Sequence, residues 1–460
     1  MKKIKIIMLL LTFILLFSAC GTGDNINSDD EVDFVDKQID MDGASFIYGT
    51  NWVDQMFADI GWTDSTDKMR VRYTDAMEYF NIDFQVLKCD DSSSYVMNKV
   101  ASGMDVPDFI DIHASNAYPL YKKDLLVPYE EISTIDLSEE KWGPTAFLQY
   151  GHFNGKTYGT YQYAWEFIPE FQGIMLWNGL LQKQLGMINP HELQENKEWN
   201  WANFRKLLEE VTVFEGENKL LGMSIDQTKA IFHLMQTATF SNGGSVVKEE
   251  NGKKVFAMTD AVAYEAMDYI AKLKDDKLIG LESGSKLEMF CAGKAMFIYC
   301  EVWRGTLRAT SDPYLPSYTM DDYGFISFPT GPKAPSVDTV SAFVHVGRHM
   351  NWVVNGSEND ADDIGRVMDY IFEPLDDTGG WKTMSKAQVF MYKEGYENFV
   401  HMVENIQYNY SAELQKPEST YETACVNVFN GKKTPSAAME AVAEAINTAL
   451  DIELNNIEQE

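Results

Sequence analysis

The alternation of strand and helix patterns between residues 44 and 123 constrains the fold of this chain most strongly. Strand-like and helix-like runs follow one another in turn at residues 44–49, 69–80, 82–87, 93–102, 108–112 and 118–123. This order predicts a parallel sheet with helices on both of its faces. Ligands bind at the carboxyl ends of the strands in such sheets, so residues 50–52 and 113–116 are the first candidates for ligand contact.

The rest of the chain continues as a mixture of strands and helices, and the part from residue 362 onward has an almost wholly helical pattern. A chain of about 440 residues after the first 19 exceeds a single typical core. The sequence therefore predicts an α/β protein of two or three domains with a helical C-terminal region.

The first 19 residues have the pattern of an export signal. Three lysines precede an apolar run at residues 6–17, which is too short for a stable membrane span of about 20 residues. Ser18 and Ala19 stand before Cys20, and this arrangement resembles the lipobox of bacterial lipoproteins, with Phe17 where leucine is usual. The resemblance implies cleavage of residues 1–19 and a lipid anchor on Cys20, at the extracytoplasmic face of the bacterial cell membrane. Residues 20–43 are polar and acidic, and we expect a flexible tether there.

The charge of the chain excludes some partners. The sequence has 38 basic and 70 acidic side chains, for a net charge of −32. Loss of residues 1–19 would remove three of the lysines and make the net charge more negative. Such a negative chain is not expected to bind nucleic acid or an anionic membrane surface. A neutral or cationic ligand fits better.

Four cysteines follow the anchor candidate, at Cys89, Cys291, Cys300 and Cys425, and no pair has CxxC spacing. An exported protein can form disulfides, and four cysteines allow three pairings. The sequence therefore leaves two alternatives for these cysteines, buried thiols or disulfides. A metal cluster is not expected.

The sequence lacks the common motifs of catalysis. There is no phosphate loop, no dinucleotide-binding glycine motif, no HExxH and no GxSxG. We expect no cofactor and no metal. A glycosidase pair of carboxylates is not excluded, because acidic residues are abundant. The absences together favour a binding protein over an enzyme.

Several segments in order resemble the extracellular solute-binding proteins of ABC sugar importers. The resembling segments are FNGKTYG at 153–159, LWN at 176–178, residues 199–208, FCAGKAM at 290–296 and FPTGP at 328–332. The resemblance covers most of residues 45–450. Together with the lipobox, it is closest to the oligosaccharide-binding lipoproteins of Gram-positive bacteria.

The resemblance implies a two-lobed, periplasmic-binding-protein-like fold, in which each lobe is a mostly parallel sheet flanked by helices. Lobe one would comprise residues 44–150 and 291–330, and lobe two residues 155–288 and 340–460. The lobes would close on a ligand by a hinge motion.

The implied function is capture of a carbohydrate, expected to be an oligosaccharide, and its delivery to the transmembrane subunits of an ABC permease. The protein would be a monomer and would catalyse nothing. Two alternatives remain open. One is a cell-surface glycosidase or lyase, and the other is a surface protein that captures glycans without a permease.

Aromatic rings bury the apolar face of a sugar, and polar side chains hydrogen-bond its hydroxyl groups. The residues that the strand ends and the resemblance nominate for ligand contact are Trp52, His113, Ser115, Asn116, Trp165, Glu166, His233, Glu301, Trp303 and Tyr421. Each has a structural alternative. Trp52 and Tyr421 could instead belong to a core, and His113 could instead cap the following helix.

Overall fold

The computed structural model describes residues 39–53, 57, 61, 64–161, 169–213, 219–281, 288–302, 322–344, 349–375, 390–410, 414 and 418–454. The expected export signal at residues 1–19, Cys20, most of the expected tether at 20–43, Trp165, Glu166 and Trp303 lie outside these residues.

The strands, numbered in chain order, are β1 Ser45–Thr50, β2 Asp83–Lys88, β3 Phe109–His113, β4 His152–Phe153, β5 Lys156–Thr157, β6 Gly159–Thr160, β7 Ile174–Asn178, β8 Leu221–Ile225, β9 Val247–Glu250, β10 Lys253–Phe256, β11 Ile279–Leu281, β12 Ala295–Tyr299, β13 Tyr323–Ser327 and β14 His349–Val353.

The α-helices are α1 Asp64–Phe80, α2 Ser93–Ala101, α3 Ala114–Tyr121, α4 Thr145–Leu148, α5 Gly179–Leu185, α6 Pro190–Glu195, α7 Trp201–Val211, α8 Thr228–Ser241, α9 Ala261–Asp275, α10 Glu288–Cys291, α11 Ala361–Ile371, α12 Lys393–Glu404, α13 Glu418–Phe429 and α14 Pro435–Glu453. Short 3-10 helices lie at Tyr129–Glu131, Glu140–Trp142 and Gln149–Gly151. No helix in the described residues has both the length and the apolar composition that a membrane span requires.

Two five-stranded sheets organise the chain. The first has the order β2-β1-β3-β14-β6, and the second has the order β11-β8-β12-β7-β13. Strands β1, β2 and β3 are parallel, as are β8, β11 and β12. Strand β14 runs antiparallel to β3, and β7 runs antiparallel to both β12 and β13. The predicted α/β class is confirmed, with sheets that are mixed rather than purely parallel.

Helices cover both faces of the sheets because successive side chains of a strand point to opposite faces. Along β7, Met175 and Trp177 belong to one core, and Ile174 and Leu176 belong to another. The first of these cores also contains side chains of α7, α8, α9, α13 and α14. The second also contains Ile110 of β3, so one continuous core extends from the first sheet to the second.

Four strands do not lie where the expected lobe boundaries put them. The expected lobe one includes 291–330, but β12 and β13 lie in the second sheet, where β12 pairs with β8 and β13 with β7. The expected lobe two includes 155–288 and 340–460, but β6 pairs with β14, and β14 pairs with β3, in the first sheet. A fully buried strand is a short apolar run, and such a run carries no signal for which sheet it joins.

The chain passes between the two sheets at closely paired segments. The Gln172 amide donates to the Phe343 carbonyl at 2.7 Å, and the Phe343 amide donates to the Gln172 carbonyl at 3.1 Å. Phe343 also pairs in parallel with Gln407. The buried Tyr150 hydroxyl donates to the Gln407 carbonyl and accepts from the Val344 amide at 2.9 Å. Tyr150 therefore stabilises the junction between the two sheets.

The four later cysteines are thiols in this structure. Cys89, Cys300 and Cys425 are buried, and Cys291 is half-buried. Burial raises the pKa of the Cys89 thiol to about 12, with nearby carboxylates contributing in the same direction.

One glycine of the second sheet is required by a close approach. Gly324 in β13 lies opposite Trp177 in β7, and a β-carbon at Gly324 would overlap the buried indole ring. We expect Gly324→Ala to lower the free energy of unfolding by about 1–3 kcal/mol, as overpacking of a core does. Gly280→Ala in β11 is the matched control, because its β-carbon would meet Leu221 at 3.5 Å, an ordinary contact. Urea unfolding of both variants checks this, and equal midpoints for the two would contradict it.

Candidate functional site

The carboxyl edge of the first sheet brings together side chains from three strands. β1 ends at Thr50, β3 ends at His113, and the antiparallel β14 begins at His349. The strand register places His349 directly opposite His113. The two imidazole rings meet edge to face, with their centroids 4.2 Å apart.

His349 is fixed by a buried carboxylate. Its Nδ1 lies 2.9 Å from Oδ1 of Asp111, whose side chain is only 1% exposed. The Thr50 hydroxyl donates to the other oxygen of Asp111 at 3.1 Å. A carboxylate accepts hydrogen bonds, so Nδ1 of His349 carries the proton. Nε2 is then the acceptor for the indole N–H of Trp52, at 3.2 Å.

His113 is held by a second carboxylate. Its Nδ1 makes an ion-pair contact with Asp91, and its backbone amide donates to Oδ1 of Asp91 at 3.0 Å. The Asn116 side chain donates to the same oxygen at 2.9 Å. Burial alone would raise the pKa of Asp91, but hydrogen bonds from His113 and Asn116 outweigh it and hold this pKa well below its usual range.

The structure thus gathers three of the predicted ligand contacts, Trp52, His113 and Asn116, at one edge. Trp52 is 42% exposed, so its indole is not part of a core. His113 is the residue before α3, but its side chain makes no capping hydrogen bond. Ser115 lies in the first turn of α3 and is half-buried.

Sequence reasoning missed three residues of this edge, namely Asp91, Asp111 and His349. Asp111 carried a usable signal, because it is a charged residue inside the otherwise apolar strand FIDIH. Asp91 and His349 had none, since their importance depends on the loop after β2 and on the pairing of β14.

At the second sheet, Glu301 follows the carboxyl end of β12. It is half-buried, and its carboxylate accepts from the Gln172 side chain at 3.3 Å. Glu301 therefore lies beside the crossing segment, and its contact with a ligand stays a prediction.

His233 and Tyr421 are buried in the core of the second sheet. The His233 ring lies 6.0 Å from Phe343, and the Tyr421 ring packs edge-on against Phe232 and Phe256. A ligand would reach either ring only after neighbouring side chains move, and their role in binding stays a prediction. The predictions for Trp165, Glu166 and Trp303 fall outside the described residues.

Several polar side chains of β8 and α8 are buried. Ser224 lies in β8, Asp226 follows its carboxyl end, Gln236 lies in α8, and all three are fully or almost fully buried. The Ser224 hydroxyl and the Gln236 carbonyl oxygen have no hydrogen-bond partner among the described residues. Buried polar atoms without a partner are costly, and they are typical of places where water or a ligand supplies the missing bond.

A separate cavity of about 270 Å³ lies between α6, α12 and the segment after β13. Its walls include His191, Trp199, Asp338, Glu397 and His401. None of the residues nominated from the sequence lines it.

No protein-family model and no curated protein matches the sequence. Solved structures share its fold. The GacH receptor of Streptomyces glaucescens, solved unliganded and with acarbose, is 14% identical and covers 89% of this chain and 99% of its own, with a TM-score of 0.58. The sugar-binding protein MalE of Xanthomonas citri is 10% identical over 91% of this chain and 100% of its own, with a TM-score of 0.66.

A third structure with this fold is UgpB of Mycobacterium tuberculosis in complex with glycerophosphocholine. It is 11% identical and covers 90% of this chain and 99% of its own, with a TM-score of 0.62. At these identities the comparisons establish the periplasmic-binding-protein-like fold.

The hydrogen bonds to Asp91 predict a measurable pH effect. We expect Asp91→Asn to lower the free energy of unfolding by about 1.5–3 kcal/mol at pH 7, the usual range for hydrogen bonds to a charged group. Because the pKa of Asp91 is lower in the folded chain than the value of about 3.9 in the unfolded one, its contribution is complete well above pH 4. The difference from wild type should shrink as the pH falls below about 4.

Chemical unfolding of both proteins from pH 7 to pH 3 measures this difference. Asp75→Asn, which changes an exposed carboxylate of α1, is the control and should stay within about 0.5 kcal/mol of wild type at each pH. A constant offset for Asp91→Asn across the whole range would contradict the account.

Proposed function

We propose that this protein is the substrate-binding protein of an ABC transporter and that it captures a carbohydrate between its two sheets. The proposed carbohydrate is an oligosaccharide. The observation that carries the proposal is the carboxyl edge of the first sheet, where an exposed indole stands beside polar groups held in fixed orientations. The fold supports it, because proteins with this architecture include GacH, solved with acarbose, and the sugar-binding MalE.

The chemistry of this edge suits a sugar. The half-exposed face of Trp52 offers a large, stiff apolar surface to the C–H face of a pyranose. His113, Asn116 and His349 lie around it, and each can hydrogen-bond a hydroxyl group. Asp91 and Asp111 hold all three of these side chains by hydrogen bonds, so less conformational entropy is lost when a ligand binds.

The second sheet supplies the other side of the proposed site. Glu301 lies beside the crossing segment, and Ser224 of β8 and Gln236 of α8 each have a buried polar atom without a partner among the described residues. A ligand in contact with both sheets would favour the closed arrangement only by binding it better than the open one.

Membrane attachment and delivery to a permease belong to the same proposal. They rest on the export signal, on the lipobox-like residues before Cys20 and on the fold. Labelling of the protein in cells with a lipid precursor, lost in Cys20→Ser, would test the anchor.

The main alternative is a polysaccharide-cleaving enzyme of the cell surface. It predicts turnover, and new reducing or unsaturated ends on incubation with glycans would support it. The structure with glycerophosphocholine shows that this fold is not restricted to sugars. A ligand panel must therefore include polar molecules of other classes.

We expect oligosaccharides from a broad panel to raise the melting temperature of the purified protein by mass action. Trp52→Ala should weaken binding of the best ligand at least tenfold, or about 1.4 kcal/mol, because the stacking surface is lost. Calorimetric titration measures this loss. Leu180→Ala, which truncates a more exposed apolar side chain on α5, should bind like wild type.

A thermal shift with glycerophosphodiesters or peptides and none with any glycan would overturn the sugar proposal. Equal affinities for wild type and Trp52→Ala would show that the first edge is not the binding surface.

A further inference from the structure

We propose that Asp91, His113 and His349 form a binding site for a divalent transition-metal ion of the zinc class. This inference goes beyond carbohydrate capture and does not depend on it. It also differs from the expectation from the sequence, in which the histidines have no ligand spacing.

The three side chains offer ligand atoms that all lie within 4.8 Å of one another. They come from the loop after β2, the end of β3 and the start of β14, and the strand register holds the two histidines opposite each other. Two imidazole nitrogens and a carboxylate oxygen are typical zinc ligands, with bonds of about 2.0–2.2 Å. Shifts of about an ångström, within the reach of side-chain rotation, would bring these atoms to one ion.

The outer contacts match those of a metal site. Metal-binding histidines usually donate their second ring N–H to a carboxylate, which orients the ring. Buried Asp111 accepts from Nδ1 of His349 and leaves Nε2 as the ligand atom. Trp52 now donates to that Nε2, and a bound ion would replace this hydrogen bond from an exposed indole. Asn116 and the His113 amide orient the Asp91 carboxylate.

The charge at this edge also favours a cation. The ion pairs of Asp91 and Asp111 in the described residues are with the two histidines. With neutral histidines, the edge carries two negative charges. A bound ion would take the place of the proton between His113 and Asp91, since metal ligands must be deprotonated.

A second acidic cluster in the structure shows the contrast. Glu139, Asp369 and Glu373 also lie close enough to share an ion. The buried ammonium group of Lys141 already stands among them, 2.8 Å from Glu139 and 2.7 Å from Asp369. That cluster has its own cation, whereas the Asp91 cluster has histidine ligands instead.

The test is calorimetric titration of untagged, EDTA-treated protein with zinc chloride at pH 7.5, and separately with magnesium and calcium chloride. We expect one zinc ion per chain and no binding of magnesium or calcium at the same concentrations. His113→Gln and His349→Gln should each weaken zinc binding by about 100-fold or more, because a ligand is lost. Asp111→Asn, which changes only a positioning residue, should weaken it about 10–100-fold.

His401→Ala is the matched control, since it removes an exposed histidine of α12 outside the cluster, and it should bind zinc like wild type. Zinc should change the tryptophan fluorescence of the wild type, and Trp52→Phe, which lacks the indole beside His349, should lose this change. Melting temperatures in EDTA show whether each variant is folded. If a histidine variant is unfolded, Asp111→Asn and the Trp52 signal still decide.

Zinc affinity that is unchanged in the His113→Gln/His349→Gln double variant would overturn the proposal, as would the absence of zinc binding by wild type. Glycan binding measured in EDTA separates this outcome from the proposed function. Absence of zinc binding by the wild type, together with glycan binding, would refute the metal site alone.

Discussion

The pairing of the crossing segments is the constraint on which the rest of the structure depends. Gln172 and Phe343 exchange two backbone hydrogen bonds, Gln407 lies alongside, and the Tyr150 hydroxyl joins the set. A core that is shared by both sheets surrounds this junction. These paired segments hold the two sheets together in one unit. The hinge motion between the sheets stays a prediction, and the proposed binding of one ligand at both carboxyl edges depends on this connection.

The polar side chains at the carboxyl edge of the first sheet are held in fixed orientations. Asp111 fixes His349, and Asp91 fixes His113 and Asn116, through hydrogen bonds that are strengthened by charge. Polar side chains that are already held in place bind a ligand better than mobile ones. Their conformational entropy is lost when the chain folds, so it is not lost again when the ligand binds. The same arrangement of carboxylate behind imidazole is what a metal ion requires. One edge therefore offers two kinds of recognition, an aromatic face for an apolar surface and oriented nitrogen atoms for hydroxyl groups or a cation.

Local features of the fold could be predicted from the sequence, and long-range ones could not. The order of β1, α1, β2, α2, β3 and α3 followed from periodicity. Trp52, His113 and Asn116 could be nominated because they follow strand ends. His349 could not, because it joins the edge only through the antiparallel pairing of β14 with β3. Long-range pairing also decides the positions of β12 and β13, which join β8 and β7 in the second sheet. Each is a short apolar run, and such a run gave no indication of its partner.

A crystal structure of the protein with the oligosaccharide that binds most tightly would show whether the sugar lies between the two sheets. We predict a sugar ring packed on the Trp52 indole, hydrogen-bonded to His113 or Asn116, with further contacts from the second sheet on the Glu301 side. A sugar bound in the cavity between α6 and α12, or touching one sheet only, would contradict it.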